Sequence, residues 1–368
     1  MKKKIWLYIL LVHVAVLGIV VLLDLPYGGI GAASCQWDCA DAYRRIIQQG
    51  YDRTPTLAAY WLGQANWAFF PAFPMVMKGV MYLTGLSMPN AGIVINAILL
   101  PILVYLCYVY QSKKYGPIDF RIYALFFLTF PPTLWLRIQY TECMYGLLLV
   151  GTSWFLLKNR IYIASLCAFL LCLSRPTGIL CVMVLAPFYF FNECRQTNRI
   201  GLIEGRFERW VPPVTNTMML LTAGGAGLSL FMIYLYYLTG DSLAFSHIQI
   251  GWDRKFHIPG YWMLYQIQKK SHINWVISAV LDMLVIYMGF RKKLYVEATT
   301  LLVTFMFAFS SSLMSIHRII MANPFFFMIV YACVIDMSKT ARNVFIWLFF
   351  IILMGITVFW SYGTKILY

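Results

Sequence analysis

Apolar residues run along this chain in long blocks separated by short polar breaks. Blocks at 5–23, 91–110, 119–138, 141–157, 161–174, 178–191, 213–238, 273–290, 294–315, 319–337 and 343–360 approach the length of a membrane span, about 20 residues. The pattern predicts an all-α polytopic membrane protein of about 11 transmembrane helices, one membrane domain over 1–368. A further apolar stretch, 67–86, begins within Asn66-Trp-Ala-Phe-Phe-Pro-Ala-Phe-Pro74. Its prolines break helix and its aromatics suit the headgroup level, so it is expected to be re-entrant or interfacial. Blocks 161–174 and 178–191 are short and joined by Ser174-Arg175-Pro176-Thr177-Gly178. Helices too short to cross alone predict a turn sunk below the surface and lining a cavity.

Composition agrees. Of the residues, 61% are hydrophobic and 12% charged, against about 25% charged in a soluble domain, and the mean hydropathy is +0.72. The net charge of +15 sits in short clusters: Lys2 to Lys4, Lys113-Lys114, Lys158 with Arg160, Arg195 to Arg209, Arg291 to Lys293, Lys339 with Arg342. Such clusters mark cytoplasmic loops, not the continuous basic face that tracks phosphates, and they exclude nucleic acid as the partner. The cysteines mostly lie in apolar runs and read as small buried hydrophobes. Cys35 and Cys39 flank a polar segment, where a spacing of four does not by itself establish a disulfide.

The basic clusters orient the chain. The apolar run behind Lys2–Lys4 is longer than a usual signal core and is expected to stay as an uncleaved first helix. With Lys2–Lys4 in the cytoplasm and 67–86 not crossing, every later cluster falls inside, and loops 24–90 and 239–272 lie outside. The unusual polar residues then share the outer face. They are Trp37-Asp38, Asp41 and Tyr43, then Tyr140-Thr141-Glu142, Arg175, Gly240-Asp241-Ser242, His247, Gln249, Trp252 and His317-Arg318. A carboxylate beside aromatic surface is a usable base toward a sugar hydroxyl, and arginine forks match phosphate oxygens. Aromatic rings stack on sugar faces. Together they imply glycosyl transfer from a lipid-linked phosphate.

Trp37-Asp38 with Tyr43 and Gly50-Tyr51 resembles the first outer loop of the PIG-V family of mannosyltransferases. So do Asn66–Pro74, Tyr140-Thr141-Glu142 and Ser174–Gly178, as do Gly240-Asp241-Ser242-Leu243-Ala244-Phe245 with Gln249 and Trp252, and the arginine of His317-Arg318. Asp41, the two cysteines and His317 depart from the family pattern. The resemblance implies a GT-C-like bundle and inverting transfer of mannose from a polyprenyl- or dolichyl-phosphate donor to a glycan or glycolipid acceptor. It casts Asp38 as general base. Arg175 and Arg318 are expected to bind the donor phosphate. Trp37, Asp41, Tyr43, Glu142, His247, Gln249, Trp252 and His317 are expected to be substrate-binding or orienting residues, Glu142 either orienting Arg175 or binding the sugar. No cofactor is expected: Asp38, Asp41 and Glu142 could hold a divalent cation, but the resemblance points away from a metal. A flippase or transporter would spread charge near the midplane and reach both sides. A non-catalytic subunit would show small-residue stripes; Gly224-Gly225-Ala226-Gly227 is expected instead to pack helices within the chain. Short loops, and no retention signal at Ile366-Leu367-Tyr368, favour a bacterial inner membrane over the endoplasmic reticulum, with a periplasmic or luminal site.

Overall fold

The computed structural model describes residues 2–55, 63–200 and 211–363, which contain helices and no strand. Part of the basic segment 192–212, and Ile366–Tyr368, lie outside them. Helix α1 (Lys2–Asp24) leads into a long connection carrying α2 (Gly29–Ser34), α3 (Arg44–Gln49) and α4 (Ala72–Thr84). Next come α5 (Met88–Tyr115), α6 (Phe120–Thr129), α7 (Thr133–Arg137), α8 (Glu142–Leu157), α9 (Ile161–Ser174), α10 (Thr177–Ile200) and α11 (Val211–Thr239). A second long connection holds α12 (Ala244–His247) and α13 (Tyr261–Lys269). The chain closes with α14 (Ile273–Arg291), α15 (Tyr295–Ser311), α16 (Ile316–Met321), α17 (Pro324–Val334) and α18 (Lys339–Ser361).

Six of these helices, α1, α5, α10, α11, α14 and α18, are long and apolar enough to cross a membrane, and the chain is an integral membrane protein. Helices α6, α8, α9, α15 and α17 are apolar but have only 10–17 residues. Proline decides where the expected blocks break. Block 119–138 splits into α6 and α7 at Pro131-Pro132, and block 319–337 into α16 and α17 at Asn323-Pro324. The Asn323 side chain then caps α17 by accepting from the Phe325 N–H. Helix α10 runs well past its expected end at 191, because Asn192 to Arg195 contain neither proline nor glycine to stop it. The stretch 67–86 yields the 13-residue α4, which ends at Gly85 with φ 72°. At about 1.5 Å per residue, α4 falls short of a hydrocarbon core about 30 Å thick.

Lipid tails are as apolar as leucine, so helices in a bilayer associate by close packing. Helix α9 packs against α8 and α11. At Gly227 the backbones nearly touch: an added Cβ would collide with the Phe169 carbonyl oxygen. At Gly224 an added Cβ would lie 3.1 Å from Val182 of α10. The glycine patch thus packs α11 inside the chain. Elsewhere aromatic rings fill the core, as where Phe127 of α6 stacks on Phe327 of α17 at 4.4 Å. At the C-terminal end of α5, Glu297 is fully buried and accepts from Lys114 at 3.0 Å and from the Tyr115 hydroxyl at 2.5 Å. Both long connections gather at the other end of α5, around the candidate site.

Candidate active site

The first connection holds Asp38 by several local devices. Trp37 takes a left-handed conformation with φ 50°, and Cys35 and Cys39 are joined in a disulfide around Gln36-Trp37-Asp38. A π-helical turn, Cys39–Tyr43, follows, in which the Tyr43 N–H donates to the Asp38 carbonyl at 3.0 Å. Such single π turns are frequent at functional sites. Three side chains tie the preceding strip to the bundle. Gln139 donates to the Gly31 carbonyl at 3.0 Å, the Trp360 indole to Ser34 at 3.1 Å, and the Tyr140 hydroxyl to Gln36 at 3.2 Å.

Arg175 and Arg318 arrive from distant helices. Arg175 precedes Pro176, which forces it out of helical conformation; its φ −156° and ψ 148° end α9 at Ser174. Gly178 lets α10 start against α9, since an added Cβ there would stand 2.6 Å from the Leu171 carbonyl oxygen. Arg318 rides on α16, which begins after Ser315 at φ 60°.

These charges meet in one chain. Arg318 Nη1 lies 2.6 Å from Asp38 Oδ2, and its Nε lies 3.3 Å from Glu142 Oε1. Arg175 Nη1 lies 3.1 Å from the same Glu142 oxygen. Glu142, expected as a substrate ligand or an orienting group, sits between the two guanidinium groups. Its Oε2 and the Thr141 hydroxyl are buried without a hydrogen-bond partner among the described residues. The arginines also lie over rings, Arg318 4.9 Å from the Tyr140 centroid and Arg175 5.5 Å from that of Tyr145.

The quartet forms part of the wall of a cavity of about 320 Å³, within the size range of small-molecule sites. Tyr43, His247, Gln249, Trp252 and Arg254 add polar groups to the wall; Phe69, Phe256, Phe307 and Ile319 are among its apolar residues. Three arginines against two carboxylates leave this wall with one net positive charge. Burial, then the Glu142 and Asp38 carboxylates, hold the Tyr43 phenol well above its ordinary pKa, so it stays a proton-bearing group. His247 Nδ1 stands 2.7 Å from Asp241 Oδ2, and that hydrogen bond holds the Asp241 carboxyl below its ordinary value.

A second cavity, of about 400 Å³, lies across a partition made by Asp38, Phe69, Trp252 and Met314. Trp37, Asp41, Arg45 and Asp253 line it. Of the expected site residues, only His317 lines neither cavity; its ring lies 5.7 Å from that of Trp135. Arg254, Thr141 and Phe69 were not among the expected site residues, although Arg254 lies two positions after Trp252, Thr141 directly before Glu142, and Phe69 within the Asn66–Pro74 stretch. Among the described residues no three His, Cys, Asp or Glu side chains converge as a metal site; Asp38 and Glu142 face arginines, and Asp41 pairs with Arg45 at 3.7 Å.

No protein-family model matches the chain, and no curated protein matches it. Its fold does have solved counterparts. ArnT from Cupriavidus metallidurans, bound to undecaprenyl phosphate, superposes with a TM-score of 0.53 at 12% identity, over 90% of this chain and 61% of ArnT. The archaeal oligosaccharyltransferase AglB from Archaeoglobus fulgidus, in complex with an inhibitory peptide and a dolichol-phosphate, gives a TM-score of 0.47 at 11% identity, over 97% of this chain and 56% of AglB. The chain therefore spans about three-fifths of the length of these neighbours. By this likeness the chain shares its fold with ArnT.

Proposed function

We propose that the protein is an inverting glycosyltransferase that moves a sugar, mannose by the sequence resemblance, from a polyprenyl- or dolichyl-phosphate to an acceptor hydroxyl. The observation that carries this reading is the Asp38–Arg318–Glu142–Arg175 chain lining a cavity with an apolar flank. A lipid phosphodiester carries one negative charge, matching the single net positive charge of the wall. Phe256 and Phe307, 61% and 41% exposed with ring centroids 5.2 Å apart, give the lipid chain an apolar way out. Undecaprenyl phosphate bound to ArnT, which shares the fold, supports a lipid of this class.

In this mechanism Asp38 takes the proton of the acceptor hydroxyl. The hydroxyl oxygen bonds to the anomeric carbon on the face opposite the phosphate. The carbon–oxygen bond to phosphate breaks, and its electron pair leaves with the lipid phosphate. Arg175 and Arg318 stabilise the charge that gathers there. Tyr43, His247, Gln249 and Trp252 line the donor sugar. The Cys35–Cys39 disulfide supports an oxidising, external location for the site. The reading includes about 11 crossings, the short helices α6, α8, α9, α15 and α17 crossing in company, and a bacterial inner membrane.

The test is transfer by protein reconstituted in vesicles, given polyprenyl-phosphate mannose and a lipid and glycan extract as the acceptor source. Asp38→Asn is expected to cut transfer by about 10²–10⁴-fold, the range for loss of a positioned base. Near-wild-type turnover by inserted Asp38→Asn protein removes Asp38 from this role. Donor accumulation inside vesicles without transfer would instead favour a transporter.

A further inference from the structure

Two cavities meet at one carboxylate, and their walls differ in charge. The partition residues Asp38, Phe69, Trp252 and Met314 line both. Apart from Asp38, the first cavity is lined by Arg175, Arg254 and Arg318 against Glu142. The second has Asp41 and Asp253 against Arg45 alone. That arginine is shared between Asp52 at 2.9 Å and Asp41 at 3.7 Å, and Asp253 lies 3.5 Å from Lys255, so three carboxylates face two cations around this wall.

We infer that the second cavity is the acceptor subsite, and that it admits a neutral or cationic sugar headgroup and disfavours an anionic one. This rests on the transfer reading above and adds to it the place and charge of the second substrate. An inverting displacement needs nucleophile and leaving group on opposite faces of the anomeric carbon. The base must then reach the nucleophile's side. Asp38 is accessible from both cavities, so a donor held by the arginines in one exposes its far face to a hydroxyl arriving through the other.

The lining fits the ring faces of a sugar. None of the strongly exposed apolar side chains that flank the first cavity, such as Phe256, lines the second. Its flat surfaces are the rings of Trp37, Trp252 and Phe69, suited to sugar faces. Asn66, also in the wall, is committed to the loop: its Oδ1 accepts from the Asp52 N–H at 2.9 Å and its Nδ2 donates to the Gly50 carbonyl at 3.0 Å. The carboxylates that sense charge are Asp41 and Asp253, each beside a cation, Arg45 at 3.7 Å and Lys255 at 3.5 Å, with side chains 66% and 70% exposed. Water screens them, so the preference is modest: a few-fold for each carboxylate and roughly tenfold together at low salt, shrinking as salt rises.

Methyl glycosides of glucosamine, mannose and glucuronic acid serve as cationic, neutral and anionic probes. Their binding to nanodisc-reconstituted protein is read by saturation-transfer NMR, which needs no turnover. The expected order is glucosaminide, then mannoside, then glucuronide. Asp41→Asn with Asp253→Asn should collapse the order, and both positions are exposed enough for that variant to fold. A glucuronide that binds as well as the glucosaminide overturns the inference, as does an order unchanged in the double variant, or no probe binding at all. Asp38→Asn separates the two levels. If it retains transfer, the base assignment fails; if it loses transfer while the probes keep their order, both readings stand.

Discussion

Asp38 and Arg318 stand 280 positions apart in the chain and meet in a 2.6 Å ion pair between a disulfide-closed turn and the short helix α16. The guanidinium uses Nη1 for Asp38 and Nε for Glu142, so one planar fork joins two carboxylates. Lysine carries the charge on a single point and cannot reproduce that fork. Arg318→Lys is expected to insert and fold but to lose transfer by at least about tenfold, since one broken charge-assisted bond is worth roughly 1.5–3 kcal/mol. Arg318→Ala also leaves two buried carboxylates short of a partner and should destabilise by about 3–5 kcal/mol. Thermal unfolding in detergent, measured beside transfer, separates the two effects.

Glu142 makes the complementary case. Its Oε1 accepts from Arg175 at 3.1 Å and lies 3.3 Å from Arg318 Nε in an ion pair, while its Oε2 has no hydrogen-bond partner among the described residues. Glu142→Gln removes the negative charge between two guanidinium groups that the carboxylate holds in place. The cavity wall gains positive charge, so a non-reacting lipid phosphate should bind as well or better. The arginines are no longer held, so transfer should drop by about 10²-fold, as misplacement of about 1 Å can do. A matched fall in lipid-phosphate affinity and turnover would instead make Glu142 a direct ligand.

Much of this was legible in the sequence, for identifiable reasons. Hydropathy locates helices because lipid demands internal satisfaction of every backbone group, and each expected apolar block is helical. The breaks at Pro131-Pro132 and Asn323-Pro324 follow from proline chemistry that block averaging hides. The expected site residues, His317 excepted, line two adjoining cavities. Glu142 beside Arg175 was one of the two expected arrangements; what stayed hidden was that Arg318 chooses Asp38 and Glu142, so that both arginines meet the same oxygen. The Cys35–Cys39 bond was equally out of reach, because it depends on the turn at Trp37 bringing the two Cα atoms to 5.3 Å. The second cavity is built by residues from four separate places, 37–45, 64–69, 251–253 and Met314, which share no local pattern.

The disulfide closes a five-residue loop with Asp38 inside it. Its opening should free the turn at Trp37 and with it the carboxylate. Reduction, or Cys35→Ser with Cys39→Ser, is expected to lower transfer by about tenfold or more through misplacement of the base. The same bond reports sidedness. In oriented vesicles, an impermeant reductant added on the external side, followed by denaturation, alkylation and mass spectrometry, should label the peptide carrying Cys35. Labelling only after reductant reaches the cytoplasmic side would reverse the orientation.

Helix packing sets the last expectation. Gly227 of α11 meets the Phe169 backbone of α9 so closely that no side chain fits. Helix α9 ends at Ser174, immediately before Arg175, so any displacement along it is passed to that guanidinium. Gly227→Ala must push α9 and α11 apart, and overpacking of this kind destabilises by about 1–3 kcal/mol. Gly225 on the same helix has nothing within 4 Å of an added Cβ, and Gly225→Ala should be neutral or slightly stabilising through helix propensity. If α9 carries the disturbance, Gly227→Ala will lower transfer and lipid-phosphate affinity together while Gly225→Ala leaves both alone. Equal thermal shifts from the two substitutions would mean that the contact at Phe169 is not what joins the helices.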